Sequence, residues 1–154
     1  MPPCLGALRV LLVEDSRPMR MLVREMLRAL GFAHCKCAAS AEEAFGTLET
    51  YAPDLVITDY ILDGEDGISF TRRIRMLDHP VLSRTPIILM SGHTEKTKVH
   101  AAIRAGVTAI LIKPLSARSL AEHIDFALTE RDIPALMGAC GPASAASNLY
   151  IFSG

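Results

Sequence analysis

The 154-residue chain has no tryptophan, few other aromatic residues and almost no excess of charge of either sign. Its net charge is −1, so the broad basic surface that non-specific nucleic-acid binding requires is missing, and we expect no direct nucleic-acid partner. Half of the residues are hydrophobic, yet no run of eighteen strongly apolar residues occurs. A membrane-spanning helix is therefore not expected.

The N-terminus also lacks a secretory signal, because residues 1–7 contain no positively charged start followed by an apolar stretch. We therefore expect a cytoplasmic protein. Its four cysteines fit a reducing compartment. Cys35 and Cys37 form a C-x-C pair that could bind a metal, but no further nearby His and Cys complete a ligand set, and we favour buried free thiols.

Short apolar runs typical of buried strands recur along the chain, at 9–13, 55–57, 86–90 and 109–112. Residues 33–38 alternate small or thiol side chains with His34 and Lys36, which is typical of a half-exposed edge strand. Helical patterns follow each run: one from Ser16 to a stop at Gly31, one opening at a Ser40 and Glu43 capping box, and three more over 68–77, 95–105 and from Ser116 onward. Five strands alternating with five helices predict a doubly wound α/β fold, in which a parallel sheet carries helices on both faces. In the third helix, Arg72, Arg73 and Arg75 are expected to face water.

Chemically functional side chains end four of the five predicted strands. Glu14 and Asp15 end the first, Asp59 the third, Ser91 the fourth and Lys113 the fifth. The carboxyl ends of parallel strands form one edge of a sheet, where ligands bind in open α/β folds, so these groups should converge. Each taken alone could be a helix cap, a turn residue or a surface amine. Their coincidence at four strand ends favours a functional site.

Three converging carboxylates repel one another unless a cation is present, and oxygen ligands of this kind suit Mg²⁺. A lysine ammonium and a serine hydroxyl opposite the metal could hold a phosphoryl group during its transfer. Asp59 is the central carboxylate, so it is the best candidate nucleophile and would form an aspartyl phosphate.

The chain resembles the receiver domain of two-component response regulators over about residues 8–130. The resemblance is carried, in this order, by V-L-L-V-E-D-S, by D-L-V-I-T-D-Y followed by Asp66 and Gly67, by P-I-I-L-M-S-G and by A-I-L-I-K-P-L. It implies a flavodoxin-like fold with five parallel strands in the order 2-1-3-4-5. It also implies a phosphoacceptor signalling protein rather than an enzyme in the ordinary sense, one that catalyses only its own phosphorylation and dephosphorylation.

The same resemblance implies roles for individual residues. Asp59 would accept phosphate from a histidine kinase or a histidine phosphotransfer protein, and Ser91 and Lys113 would contact the phosphoryl group. Asp15, Asp59 and the backbone carbonyl of Ile61 would bind Mg²⁺ directly, while Glu14 would act through water. The peptide bond between Lys113 and Pro114 would be cis.

Two positions depart from the family's pattern. Ile110 stands three residues before the lysine, where the family often has an aromatic switch residue, so any switch must use Ser91, loop movement or a dimer face instead. Asp63 replaces the usual proline after the phosphorylated aspartate. His93 lies two residues after Ser91, and we interpret it as a solvated loop residue rather than as a group that tunes dephosphorylation.

Three other functions remain alternatives. A haloacid-dehalogenase-like phosphohydrolase usually needs a second acid two residues after its nucleophile, where this chain has Ile61. A flavodoxin-like FMN site needs a Ser/Thr-rich loop where Glu14 and Asp15 would repel phosphate. A receiver-shaped scaffold that binds proteins without being phosphorylated is the third.

The last segment, 131–154, differs from the rest in composition, because residues 133–154 contain no charged residue. It is too short for a domain of its own. It could be a tether, a strand or helix docked on this or a neighbouring molecule, or, least expected, a membrane-touching segment. Since no output domain follows 8–130, we expect a stand-alone receiver that signals through contacts with a downstream protein target, with a homodimer left open.

Overall fold

The computed structural model describes residues 5–92, 95–130 and 150–152. Its strands are β1 Arg9–Val13, β2 His34–Ala38, β3 Leu55–Asp59, β4 Ile87–Ser91, β5 Ala109–Ile112 and β6 Tyr150–Phe152. Its helices are α1 Arg17–Leu30, α2 Ala41–Tyr51, α3 Gly67–Arg75, α4 Lys96–Ala105 and α5 Ala117–Glu130. Two short 3-10 turns, Leu5–Ala7 and Leu82–Arg84, complete the described elements.

The strands form one sheet in the order β2-β1-β3-β4-β5-β6, and every pair is parallel. The predicted order of the first five strands is confirmed. The sheet has six strands rather than five because Tyr150–Phe152, near the C-terminus, pairs with β5. Among the alternatives for the C-terminal segment, these three residues form a strand docked on the same chain, and residues 131–149 lie outside the described part.

Helices cover both faces of the sheet, as the alternating pattern predicts. Alternate residues of β1 point to opposite faces: Val10 and Leu12 pack with α1 and α5, whereas Leu11 and Val13 pack with α2 and α3. All four are fully buried. This two-sided burial explains why β1 reads as a continuous apolar run rather than an alternating one.

The helix ends follow the local sequence signals. The Ser16 hydroxyl accepts a hydrogen bond from the Met19 amide, and Gly31 ends α1 in the left-handed conformation with φ of 109°. Ser40 caps α2 in the same way, and the Glu43 carboxylate reaches back to the Ala39 amide. These caps satisfy N–H groups that the first turn of each helix would otherwise leave unpaired. They fix where each helix leaves the sheet edge.

The prediction that Arg75 faces water is wrong. Its guanidinium donates hydrogen bonds to the carbonyl oxygens of Ser83, Thr85 and Gly106, at 2.7–3.0 Å. Burial lowers the pKa of Arg75 to about 10. A helical pattern places Arg75 on the outer face of α3, but it does not reveal that two other connections fold over that face.

Candidate functional site

Glu14, Asp15 and Asp59 lie together at the carboxyl edge of the sheet. Each offers a carboxylate oxygen within 4.8 Å of the others, and this is the one such group of acidic, His or Cys ligands in the described residues. Glu14 and Asp15 directly follow β1, and Asp59 is the last residue of the neighbouring strand β3. Parallel pairing of two strands that both end in acids therefore produces the cluster that the sequence predicts.

The surroundings of Glu14 are unusual for a carboxylate. The residue is 1% exposed, and this burial raises its pKa to about 7. The nearby charge of Asp59 also raises the pKa, whereas a hydrogen bond from the Ser16 amide lowers it. That amide donates to Oε2 at 3.1 Å, whereas Oε1 is buried with no hydrogen-bond partner among the described residues. A buried carboxylate oxygen without a donor is costly. Water bound to a cation among the three carboxylates would donate to this oxygen, so the donor set fits a divalent metal with a preference for oxygen ligands.

Lys113 supplies a positive charge next to Asp59. Its Nζ lies 2.6 Å from Asp59 Oδ1, and the Asp59 side chain is only 8% exposed. The preceding strand β5 ends at Ile112, and the Lys113 amide donates to the Ser91 carbonyl at 2.9 Å. The peptide bond between Lys113 and Pro114 is cis, which confirms what the family resemblance implies.

Ser91 is buried at the end of β4, where it pairs in register with Ile112 of β5. Its strand neighbour Met90 pairs with Asp59 in β3. Ser91 and Lys113 thus belong to the same end of the sheet as the acidic cluster. Ile61 lies in the exposed turn just after Asp59. His93 lies outside the described residues.

The backbone of Asp59 leaves no room for a side chain at Gly67, which follows Asp66 in the loop after β3. A Cβ atom at Gly67 would overlap the backbone carbonyl oxygen of Asp59, so any side chain would push the loop away from the site. The Gly67 amide also donates to the Tyr60 carbonyl at 2.7 Å, and Asp66 caps α3 through the Ser69 amide. The D-G pair therefore holds the start of α3 against the end of β3.

Arg20 makes a hydrogen bond near the site that the sequence does not predict. Its Nη1 donates to the Glu14 carbonyl oxygen at 2.7 Å and ties the first turn of α1 to the end of β1. The only sequence signal is its position one turn after Ser16, which many helices share. Tyr60, next to Asp59, packs with Val99 and carries Lys98 over its ring at 5.5 Å from the centroid.

Ile110, which stands where the family often has an aromatic residue, is 1% exposed. It packs in a core cluster with Ile68 and Leu89, with Tyr60 and Val99 against them. The aliphatic side chain is therefore part of the packing between the sheet and α4. The aromatic residue closest in sequence to the acidic cluster is Tyr60, which directly follows Asp59.

Two kinds of comparison identify the family. The family model described as response regulator receiver domain matches residues 10–125. The chain belongs to this family. Over 118 residues it is 30% identical to chemotaxis protein CheY-3 of Vibrio cholerae serotype O1, covering 77% of this chain and 89% of the relative. It is 34% identical over 131 residues to transcriptional regulatory protein PdtaR of Mycobacterium tuberculosis, covering 84% of this chain and 62% of that protein.

Solved structures give the same fold. Chemotaxis response regulator CheY4 of Vibrio cholerae superposes with a TM-score of 0.70 at 26% identity, over 77% of this chain and 96% of that chain. A two-component response regulator of the LuxR family from Aurantimonas sp. SI85-9A1 has a TM-score of 0.71 at 29% identity, over 79% and 85% of the two chains. The chain is thus a receiver domain of the two-component signalling class. No helix in its described part is both long and apolar enough to span a membrane.

Proposed function

We propose that this receiver accepts a phosphoryl group on Asp59 from a histidine kinase or a histidine phosphotransfer protein in a Mg²⁺-dependent reaction. The supporting observation is the pairing of Asp59 with Lys113 at 2.6 Å beside a buried Glu14 that lacks a partner for one oxygen. This arrangement provides a nucleophile, a fixed cation and an incomplete oxygen site at one sheet edge. It matches the requirements of phosphoryl transfer, which depends mainly on positioning and charge neutralisation.

The chain's own residues would divide the work. An Asp59 carboxylate oxygen forms the new bond to phosphorus while the bond from phosphorus to the donor nitrogen breaks, and the donor imidazole leaves. Lys113 and the Ser91 hydroxyl would bind the phosphoryl oxygens. Glu14, Asp15, Asp59 and the Ile61 carbonyl would hold the metal, with Glu14 acting through water. Bound Mg²⁺ would neutralise charge on the phosphoryl oxygens.

The resulting aspartyl phosphate would signal through contacts with a downstream protein, and the protein would catalyse only its own phosphorylation and dephosphorylation. We place it in the cytoplasm, where such kinases present their phosphohistidine. The family relationship and the near-neutral charge support a protein partner rather than direct nucleic-acid binding. The 131–154 extension lies outside the range that the family model matches, and a homodimer built on it is left open.

The decisive experiment incubates the protein with Mg²⁺ and a small phosphoramidate or acyl phosphate and follows its intact mass. We expect a gain of one phosphoryl group that is lost on chelation and in Asp59→Asn. Asp63→Asn is the matched control, because Asp63 is an exposed acid in the same loop and should be phosphorylated normally. If the wild type gains no phosphoryl group, a protein-binding scaffold becomes the better function, as the aliphatic residue at Ile110 would then suggest.

A further inference from the structure

A second charged site lies along α1, next to the edge strand β2. It is a groove of about 270 Å³ lined by Arg17, Arg20, Met21, Arg24 and Cys37. We call it the arginine groove. Its three arginines are spaced three and four residues apart, so they occupy one face of the helix. The proposed phosphorylation chemistry uses none of the side chains in this groove.

The arginine groove has a surplus of positive charge. Among the described residues no carboxylate lies within ion-pairing distance of Arg17, Arg20 or Arg24. One turn further along the same helix, Arg28 does pair with Glu25, at 3.6 Å. Arg20 is fixed instead by its bond to the neutral Glu14 carbonyl. Unneutralised cations lining a concave surface attract small anions and raise their local concentration.

The groove also contains a nucleophile. Cys37 is half-buried on β2, the outermost strand of the sheet on this side, and Cys35 lies two residues earlier on the same face. Interaction with the neighbouring Cys35 thiol, together with the charges of Arg24 and Arg20, lowers the pKa of Cys37 to about 6. The same pairing raises the pKa of Cys35. The arginines next to Cys37 therefore favour the thiolate form of this thiol.

An internal disulfide does not suit this pair. Residues two apart on a strand are separated by roughly 6.6 Å, at the upper end of the Cα separations that disulfides span. Bridging them would require β2 to leave its extended pairing with β1, in which Cys35 and Cys37 lie opposite Val10 and Leu12. A thiolate that cannot be bridged by its neighbour is open to an external partner.

We propose that Cys37 is a modification site, at which a small disulfide carrying carboxylates forms a mixed disulfide while the arginine groove binds its negative groups. The Cys37 thiolate attacks one sulfur of the disulfide, a new S–S bond forms, and the old S–S bond breaks. The other half leaves as a thiolate, so the small disulfide is the oxidant and the reaction balances. Excess small thiol reverses it.

The test follows the intact mass of the full-length protein with glutathione disulfide as the anionic probe and cystamine as the cationic one. We expect a gain of one half-disulfide, faster with the anionic probe by roughly tenfold at low ionic strength, with the difference shrinking in salt. The rate should persist down to about pH 6, near the pKa of Cys37. Equal rates for the two probes, or a mass loss equal to two hydrogens, would overturn the proposal.

Peptide mapping assigns the site unambiguously, because trypsin cleaves after Lys36 and puts Cys35 and Cys37 in different peptides. The adduct is expected on the peptide that begins at Cys37, whereas an adduct mainly on Cys35, Cys4 or Cys140 would refute the assignment. Cys37→Ser should abolish the reaction. Arg24→Gln should slow the anionic probe several-fold, and Arg28→Gln, whose guanidinium is already paired, should not.

Discussion

The acidic site at the sheet edge and the arginine groove meet at the start of α1, yet they handle charge in opposite ways. In the acidic site, Glu14 and Asp59 are buried next to the exposed Asp15, and among the described residues Lys113 is the cation paired with them, through Asp59. In the arginine groove, Arg17 and Arg24 are exposed and Arg20 is half-buried, so these like charges are tolerated without a counter-ion. Water screens the charges of the exposed arginines, whereas burial leaves the carboxylates of Glu14 and Asp59 poorly hydrated. Burial therefore makes the acidic site dependent on a bound cation, whereas exposure leaves the groove open to a passing anion.

The largest effect is expected when Lys113, the cation paired with Asp59, is removed from the acidic site. Lys113→Met should slow phosphorylation of Asp59 roughly 100-fold, the magnitude typical of losing a group that stabilises transition-state charge. The same change should tighten Mg²⁺ binding, because a positive charge beside Asp59 is gone. The rate is measured by mass gain with a small phosphodonor, and metal binding by titration calorimetry.

Lys96→Met is the control for that substitution, since Lys96 is an exposed lysine in the first turn of α4. It should leave both quantities unchanged. Equal effects of the two variants would mean that Lys113 contributes only general surface charge. Weaker rather than stronger Mg²⁺ binding in Lys113→Met would contradict the expected electrostatic repulsion between the lysine and the metal.

The second prediction concerns the cost of burying Glu14. Its pKa is higher in the folded protein than its ordinary value of 4.5, so the folded state binds the proton more tightly. In chelator, the free energy of unfolding should therefore fall as the pH rises from about 4.5 to about 7. Glu14→Gln should remove this fall and be more stable than wild type at pH 8 by about 2 kcal/mol.

Urea denaturation at pH 5 and pH 8 measures this effect. Glu25→Gln, a change at an exposed acid on α1, is the matched control and should follow wild type. Mg²⁺ at pH 8 should recover stability in wild type and less in Glu14→Gln. The same pH dependence in Glu14→Gln as in wild type would show that the destabilisation arises elsewhere.

The smallest effect is expected from the one side chain that touches both sites. Arg20 lines the groove and also holds the Glu14 carbonyl. Arg20→Gln should slow alkylation of Cys37 by neutral iodoacetamide two- to threefold at pH 6, because the thiol pKa rises toward its ordinary value. It should change the phosphorylation rate by less than that. A larger loss of phosphorylation than of alkylation would show that the two sites are not separate.

Much of the fold could be predicted from local patterns. The apolar runs ending in Asp59 and Ser91 locate two buried strands, and Ser16 and Ser40 mark helix starts at the places where the structure has them. The sixth strand could not be predicted with certainty, because an uncharged tail is compatible with several states. Arg75 was misplaced for a related reason, since its burial depends on a distant turn and on Gly106.

The candidate site, too, could be predicted only in part. The convergence of the residues that end the strands could be predicted, because parallel pairing brings the carboxyl ends of neighbouring strands to one edge. The sequence does not predict three features of the site: the Glu14 oxygen without a hydrogen-bond partner among the described residues, the close approach of Gly67 to the Asp59 backbone, and the hydrogen bond from Arg20 to the Glu14 carbonyl. Each depends on a separation of a few ångströms between atoms, and sequence spacing does not determine such distances.

Local sequence patterns specify which residues end the strands and where the helices begin, and hence that acids, a serine and a lysine share one edge of a parallel sheet. Which of those charges become buried depends on how the folded chain packs. Packing buries Glu14 and Asp59 near Lys113 and leaves Arg17 and Arg24 of α1 exposed beside Cys37. This difference arises because pattern and propensity act along the chain, whereas burial and electrostatic coupling depend on groups that the fold brings together from distant positions.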